Sequence, residues 1–132
     1  MSNGIRIGAL ALATNTRPAT IRFYEQIGLL APPSRTPGNY RSYGEDHIRR
    51  LIFIRRARDL GFSLGTVQVL LSLAEKPKQS CAQVVDLVAE QLHQIESKIA
   101  DLQRLSTELM RLRNSCSDVQ DYGCRIIEAL YS

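Results

Sequence analysis

Residues 80–124 read SCAQVVDLVAEQLHQIESKIADLQRLSTELMRLRNSCSDVQDYGC, and this stretch decides the fold. After Ser80, neither Pro nor Gly interrupts the chain until Gly123. Apolar residues recur at Val84, Val88, Leu92, Ile95, Ile99, Leu102, Leu105, Leu109 and Leu112, in steps of three and four. That period predicts one amphipathic helix over 81–113. Ser80 with Gln83 reads as an N-cap and capping box. A soluble helix of this length does not stand alone, so the stripe requires a partner.

The cysteines bracket this helix. Cys81 opens it, Cys116 closes it, and Cys124 follows a seven-residue loop. At about 1.5 Å of rise per residue, Cys81 and Cys116 of one chain lie roughly 50 Å apart and cannot share a ligand. Two copies paired antiparallel would instead bring Cys81 of one chain beside Cys116 and Cys124 of the other. Three thiolates would then meet at each end of a two-fold dimer. The simpler alternative keeps the dimer seam and treats the cysteines as small apolar fillers.

Charge is unevenly spread along the 132 residues. Residues 1–60 carry ten basic side chains, all Arg, against four acids, whereas 77–132 carry six bases against eight acids. A basic head on a mildly acidic tail predicts nucleic-acid binding by the head, since Arg pairs with phosphates and forks onto guanine edges. The apolar run Ile7–Ala13 is short for a signal peptide and follows a single arginine; a first helix explains it better. No run reaches transmembrane length. These features predict a cytoplasmic protein with no membrane partner, in which spaced cysteines bind metal or do redox work. No Gly-rich phosphate loop or nucleophile–base pairing suggests an enzyme.

Within the head, Ile5–Ala13 has helical spacing, Thr14-Asn15-Thr16 makes a turn with Asn15 left-handed, and Pro18 opens a second helix that Gly28 ends. Two short helices across a tight turn match a helix-turn-helix, with Ala19, Arg22 and Gln26 on one face of the second. Pro37-Gly38-Asn39 predicts the turn of a small β wing, whose Arg35, Tyr40, Arg41 and Tyr43 are placed to touch phosphates. Core packing is the alternative for the tyrosines. A third helix, dense in Arg, runs from Glu45 to Leu60, and Ser63 opens a fourth reaching Leu73 or Ala74. His47 and His93 read as surface residues rather than ligands.

Together the segments Ile21-Arg22-Phe23-Tyr24-Glu25, Gly28-Leu29-Leu30, Tyr40-Arg41-Ser42-Tyr43 and Arg55–Leu64, followed by the cysteine-bracketed helix, resemble the MerR family of metal-responsive transcriptional regulators. The resemblance implies a mainly α fold: a winged helix-turn-helix DNA-binding head (1–76), a long antiparallel coiled-coil dimerisation helix (77–115), and a short metal-binding loop and helix (116–132). It implies a homodimer on double-stranded operator DNA, with contacts from Arg22, Tyr24, Arg35, Tyr40, Arg41, Tyr43 and Arg58. It also implies an effector-driven distortion of the promoter that lets RNA polymerase use it, a form of control through DNA deformation energy.

The metal-sensing branch of the family implies Cys81, Cys116 and Cys124 as ligands for a thiophilic ion. The Cys116–Cys124 spacing resembles the copper-sensing branch, which carries Ser where this chain has Cys81. A third thiolate better balances a divalent ion, favouring Cd(II), Pb(II), Hg(II) or Zn(II) over Cu(I). Asp118 or Asp121 could add oxygen ligands for zinc, but both read better as solvated loop residues. The rival readings are a thiol redox regulator using Cys116 and Cys124, a small-molecule-responsive relative, and a coiled-coil module without DNA.

Overall fold

The computed structural model describes residues 4–76, 81–115 and 124–131. The chain divides into two compact units, Met1–Val84 and Val85–Ser132. Element order is α1 (Ile7–Thr14), α2 (Pro18–Gln26), β1 (Ser34–Arg35), β2 (Arg41–Ser42), α3 (Glu45–Asp59), α4 (Leu64–Ala74), α5 (Cys81–Ser115) and α6 (Arg125–Tyr131). The fold is mainly helical with a two-stranded wing, as the sequence predicts.

The first unit is held by one apolar cluster. Leu10 of α1, Ile21 of α2, Leu51 and Ile54 of α3, and Val67 of α4 are all at most 1% exposed, and Leu29, Leu30 and Tyr43 join them from the connections. Accordingly α1 packs on α2 and α3, and α4 packs on α3. These spacings are helical on each segment, so one face of every helix supplies the cluster.

Local chemistry sets the joints. Asn15 takes a φ of 49° and ends α1 with its amide on the Ala11 carbonyl, while Thr14 Oγ1 donates to Leu10 O at 2.7 Å. Asn tolerates this left-handed conformation better than most residues. Pro18 then occupies the first turn of α2, where a missing N–H costs nothing. Gly28, at φ 78°, lets the chain reverse so that the amides of Leu29 and Leu30 both reach Tyr24 O, at 2.9 and 3.1 Å. Ser63 accepts from the Thr66 amide at 3.2 Å and caps α4.

The wing pairs Ser34 with Ser42 and Arg35 with Arg41, antiparallel. Its turn closes through Thr36 N–Tyr40 O and Asn39 N–Thr36 O, both 2.8 Å, with Asn39 at φ 67°. One expectation is corrected here. Ile5 is not the start of α1, which begins at Ile7; Ile5 bridges Tyr43 instead, with both N–H···O bonds at 2.8 Å. The reason is pairing: an extended Ile5 satisfies two backbone groups of the wing that a helical Ile5 would leave to water. Gly4 makes the approach possible, since a Cβ there would lie 2.9 Å from the Ser42 Cβ.

In α5 the expected stripe is present as one continuous 35-residue helix. Its residues Val88, Leu92, Ile95, Ile99, Leu102, Leu105 and Leu109 are 38–65% exposed. Arg104 pairs with Asp101 and Arg111 with Glu108 across single turns, which are weak surface contacts at best. The Arg111 hydrogen bond holds the Glu108 carboxyl below its usual range. Among the described residues no helix is long and apolar enough to cross a membrane. The expected Ser80 cap and the Cys116–Gly123 loop lie outside the described residues.

Candidate nucleic-acid interface and thiol positions

Arg22 is exposed on α2, alongside Ala19, Phe23 and Gln26, while Ile21 on the opposite face is fully buried. The helix therefore presents an arginine-bearing face to solvent because its apolar face is committed to the core. Tyr24 is half-buried and lines a cleft of about 690 Å³ with Asn15, Arg17, Pro18, Thr20, Arg55 and Arg58 among its walls. Arg58 is exposed and donates to the Phe62 carbonyl at 2.9 Å, which fixes its guanidinium at the end of α3. Arg55 donates to the Asn15 carbonyl and lies 3.5 Å from Asp59, so it braces the turn between α1 and α2.

On the wing, Arg35 is exposed and reaches Asn39 O at 3.3 Å, and Tyr40 is 55% exposed. Arg41 is partly buried and sits 3.9 Å from Glu25 Oε2. Tyr43 requires a correction. Its side chain is fully buried, its hydroxyl donates to Glu25 Oε1 at 2.5 Å, and its ring meets His47 edge-on at 5.2 Å between centroids. A ring without accessible surface cannot touch a phosphate; Tyr43 is a core residue that orients Glu25. Burial, then the Glu25 hydrogen bond, pushes its hydroxyl up to about 12.

His47 is also more than a surface residue. It is half-buried, accepts the Gly44 amide on Nδ1 at 3.0 Å, and donates from Nε2 to Ala31 O at 3.1 Å. That bonding assigns the Nε2–H tautomer and closes the N-terminus of α3. His93 is exposed on α5.

Cys81 is exposed at the first residue of α5. Cys124 is half-buried directly ahead of α6, its carbonyl accepting the Glu128 amide at 3.1 Å. Cys116, Asp118 and Asp121 lie outside the described residues. Among the described residues no three His, Cys, Asp or Glu side chains converge on one point. The donors present are thiols, which suit a soft ion rather than a hard one.

Sequence reasoning missed Glu25 and Arg50 as organising residues. Arg50 donates to Leu29 O at 2.6 Å and pairs with Glu75, tying α3 to the connection after α2 and to the end of α4. Both link residues 18 to 25 positions apart, and nothing in local periodicity signals such pairs.

Two family profiles match the chain: "MerR HTH family regulatory protein" over residues 5–74 and "MerR, DNA binding" over residues 48–112. The chain is 38% identical over 126 residues to the mercuric resistance operon regulatory protein of Bacillus cereus, covering 95% of this chain and 96% of that one. It is 40% identical over 128 residues to the transcriptional regulator ZntR of Escherichia coli K12, covering 95% and 91%. The crystal structure of the transcription regulator PbrR691 from Ralstonia metallidurans CH34 in complex with lead(II) superposes with a TM-score of 0.83 at 40% identity, covering 96% of this chain and 98% of that one. With a winged helix-turn-helix head, a long exposed amphipathic helix and these matches along nearly its whole length, the chain belongs to the MerR family of DNA-binding transcriptional regulators.

Proposed function

We propose that this regulator senses a thiophilic divalent ion (cadmium, lead, mercury or zinc) and activates a metal-resistance or efflux promoter in response. The observation that carries the reading is the α5 stripe: a row of exposed apolar residues with a cysteine at the first position of the helix. A second copy of the chain, antiparallel, buries that row and brings Cys81 to the partner's Cys116 and Cys124. Relatives named for mercury and a relative solved with lead(II) support the same chemistry.

The working division is a DNA-binding head over 1–76, a dimerisation helix over 77–115 and a metal-binding loop and helix over 116–132. The dimer sits in the cytoplasm on two-fold operator DNA and acts on RNA polymerase through the shape of the promoter. Arg22, Tyr24, Arg35, Tyr40, Arg41 and Arg58 hold the duplex, with Arg41 set by Glu25. Three thiolates shared between subunits tie the end of one long helix to the loop of the other. An ion held there shifts the dimer only by binding the promoter-distorting conformation more tightly than the resting one. The bend and twist it favours are stored as deformation energy in the DNA between the two heads.

The test is a metal panel on reduced protein, read by native mass spectrometry and by transcription in vitro from the promoter the protein binds. The reading predicts one divalent ion per shared site and transcription rising with that ion. A response to copper(I) alone would move the site to a two-thiolate one, and a response to peroxide alone, with a Cys116–Cys124 disulfide, would replace metal sensing by redox sensing.

A further inference from the structure

The wing is not an isolated hairpin. Ile5 adds to it through paired bonds with Tyr43, and Gly4 lies against Ser42 where any side chain would collide. This docking fixes the next residue. Arg6 stands in extended conformation at the N-cap of α1, exposed, with its guanidinium 4.3 Å from the centroid of the Tyr40 ring. Tyr40 in turn is anchored at the wing turn, its amide on Thr36 Oγ1 at 3.1 Å and its carbonyl on the Thr36 amide at 2.8 Å.

The other wing arginines have polar partners. Arg41 faces Glu25, and Arg35 donates to the Asn39 carbonyl. Among the described residues no carboxylate lies within ion-pairing distance of Arg6; its contact is a ring face. Stacking orders a guanidinium while its N–H donors remain in the plane, pointing away from the ring. An arginine held this way keeps its full charge and pays little conformational entropy on meeting an anion.

From this geometry we infer that Arg6 is a DNA-backbone contact of the wing, positioned by Tyr40. The inference rests on the head binding duplex DNA, and it adds a residue from outside the helix-turn-helix and the hairpin to that interface. The chemistry is phosphate recognition without sequence preference, because a stacked guanidinium beside the wing meets the backbone rather than a base edge.

The test measures operator affinity against salt concentration, using a duplex that the wild-type protein selects from a randomised pool. Each phosphate contact contributes about 0.9 to the slope of log K against log salt. Arg6→Ala lowers the slope by about 0.9 for each bound subunit, and weakens selected and unrelated duplexes alike. Arg6→Lys, which keeps the charge, retains most of the slope. Tyr40 is uncharged, so any slope lost on its replacement reports Arg6: Tyr40→Phe leaves the slope at the wild-type value, Tyr40→Ala lowers it as Arg6→Ala does, and the double variant lowers it no further. An unchanged slope in Arg6→Ala, with the thermal midpoint intact, overturns the contact. An unchanged slope in Tyr40→Ala overturns the positioning. Failure of the wild type to bind any duplex would instead sink the DNA-binding reading, and this inference with it.

Discussion

The Tyr43 hydroxyl donates to Glu25 Oε1 at 2.5 Å, joining the end of the wing to α2 from inside the head. The other carboxylate oxygen faces Arg41 at 3.9 Å. One acid on α2 therefore holds a buried phenol and a partly exposed arginine at once. On its other side Tyr43 is tied through its backbone to Ile5.

Stability at high pH should expose the junction. Tyr43 is raised from 10.0 to about 12 by burial and by Glu25, so the folded state favours the protonated phenol. Its contribution is complete below pH 10, declines as pH rises, and is gone once pH passes about 12. Two units correspond to about 3 kcal/mol. Tyr43→Phe should lose a hydrogen bond to a charged group, about 1.5–3 kcal/mol at neutral pH. Denaturant melts at a series of pH values should show wild type and variant converging between pH 10 and 12; parallel curves would refute the coupling.

Arg22→Ala should weaken operator binding by about 1–3 kcal/mol at fixed salt, because Arg22 stands on the exposed face of α2. The unfolding midpoint should not move, since the side chain adds nothing to the core. Unchanged affinity in an electrophoretic or anisotropy titration would remove α2 from the recognition role.

Ile99→Glu places a charge at the middle of the α5 stripe. Ile99 is 49% exposed in the single chain, so the head should melt as before. Across a two-fold seam the change occurs twice, and each lost isoleucine burial costs about 1.5–3 kcal/mol. Sedimentation equilibrium should show a dimer for wild type and a monomer for the variant. A dimer that survives the charge would put the seam elsewhere.

Cys81→Ser should abolish activation by divalent ions while leaving the dimer and operator affinity unchanged. The residue is exposed at the start of α5, so its loss costs no core energy. Transcription assays with cadmium and mercury give the answer, and full activation in the variant would falsify the three-thiolate site.

Much of this fold is written locally, and the local parts were legible. The left-handed turn at Asn15, Pro18 opening α2, the Pro37-Gly38-Asn39 wing turn, Ser63 capping α4 and the unbroken α5 period each depend on residues within a few positions of one another. The exposed arginine of α2 follows from the same periodicity, since burying Ile21 turns Arg22 outward. What the tertiary structure decided are pairings between distant residues. Tyr43 belongs to the core rather than the surface because Glu25 waits for its hydroxyl; Ile5 leaves α1 because the wing offers it two backbone partners. His47 bridges the Gly44 amide and the Ala31 carbonyl, and Arg6 lies on Tyr40. Side-chain period reports which face of an element is buried, but not which polar atom will be opposite it when the chain closes on itself. That choice is made by packing, and in this head it leaves Arg35 and Tyr40 of the wing exposed while it buries Tyr43.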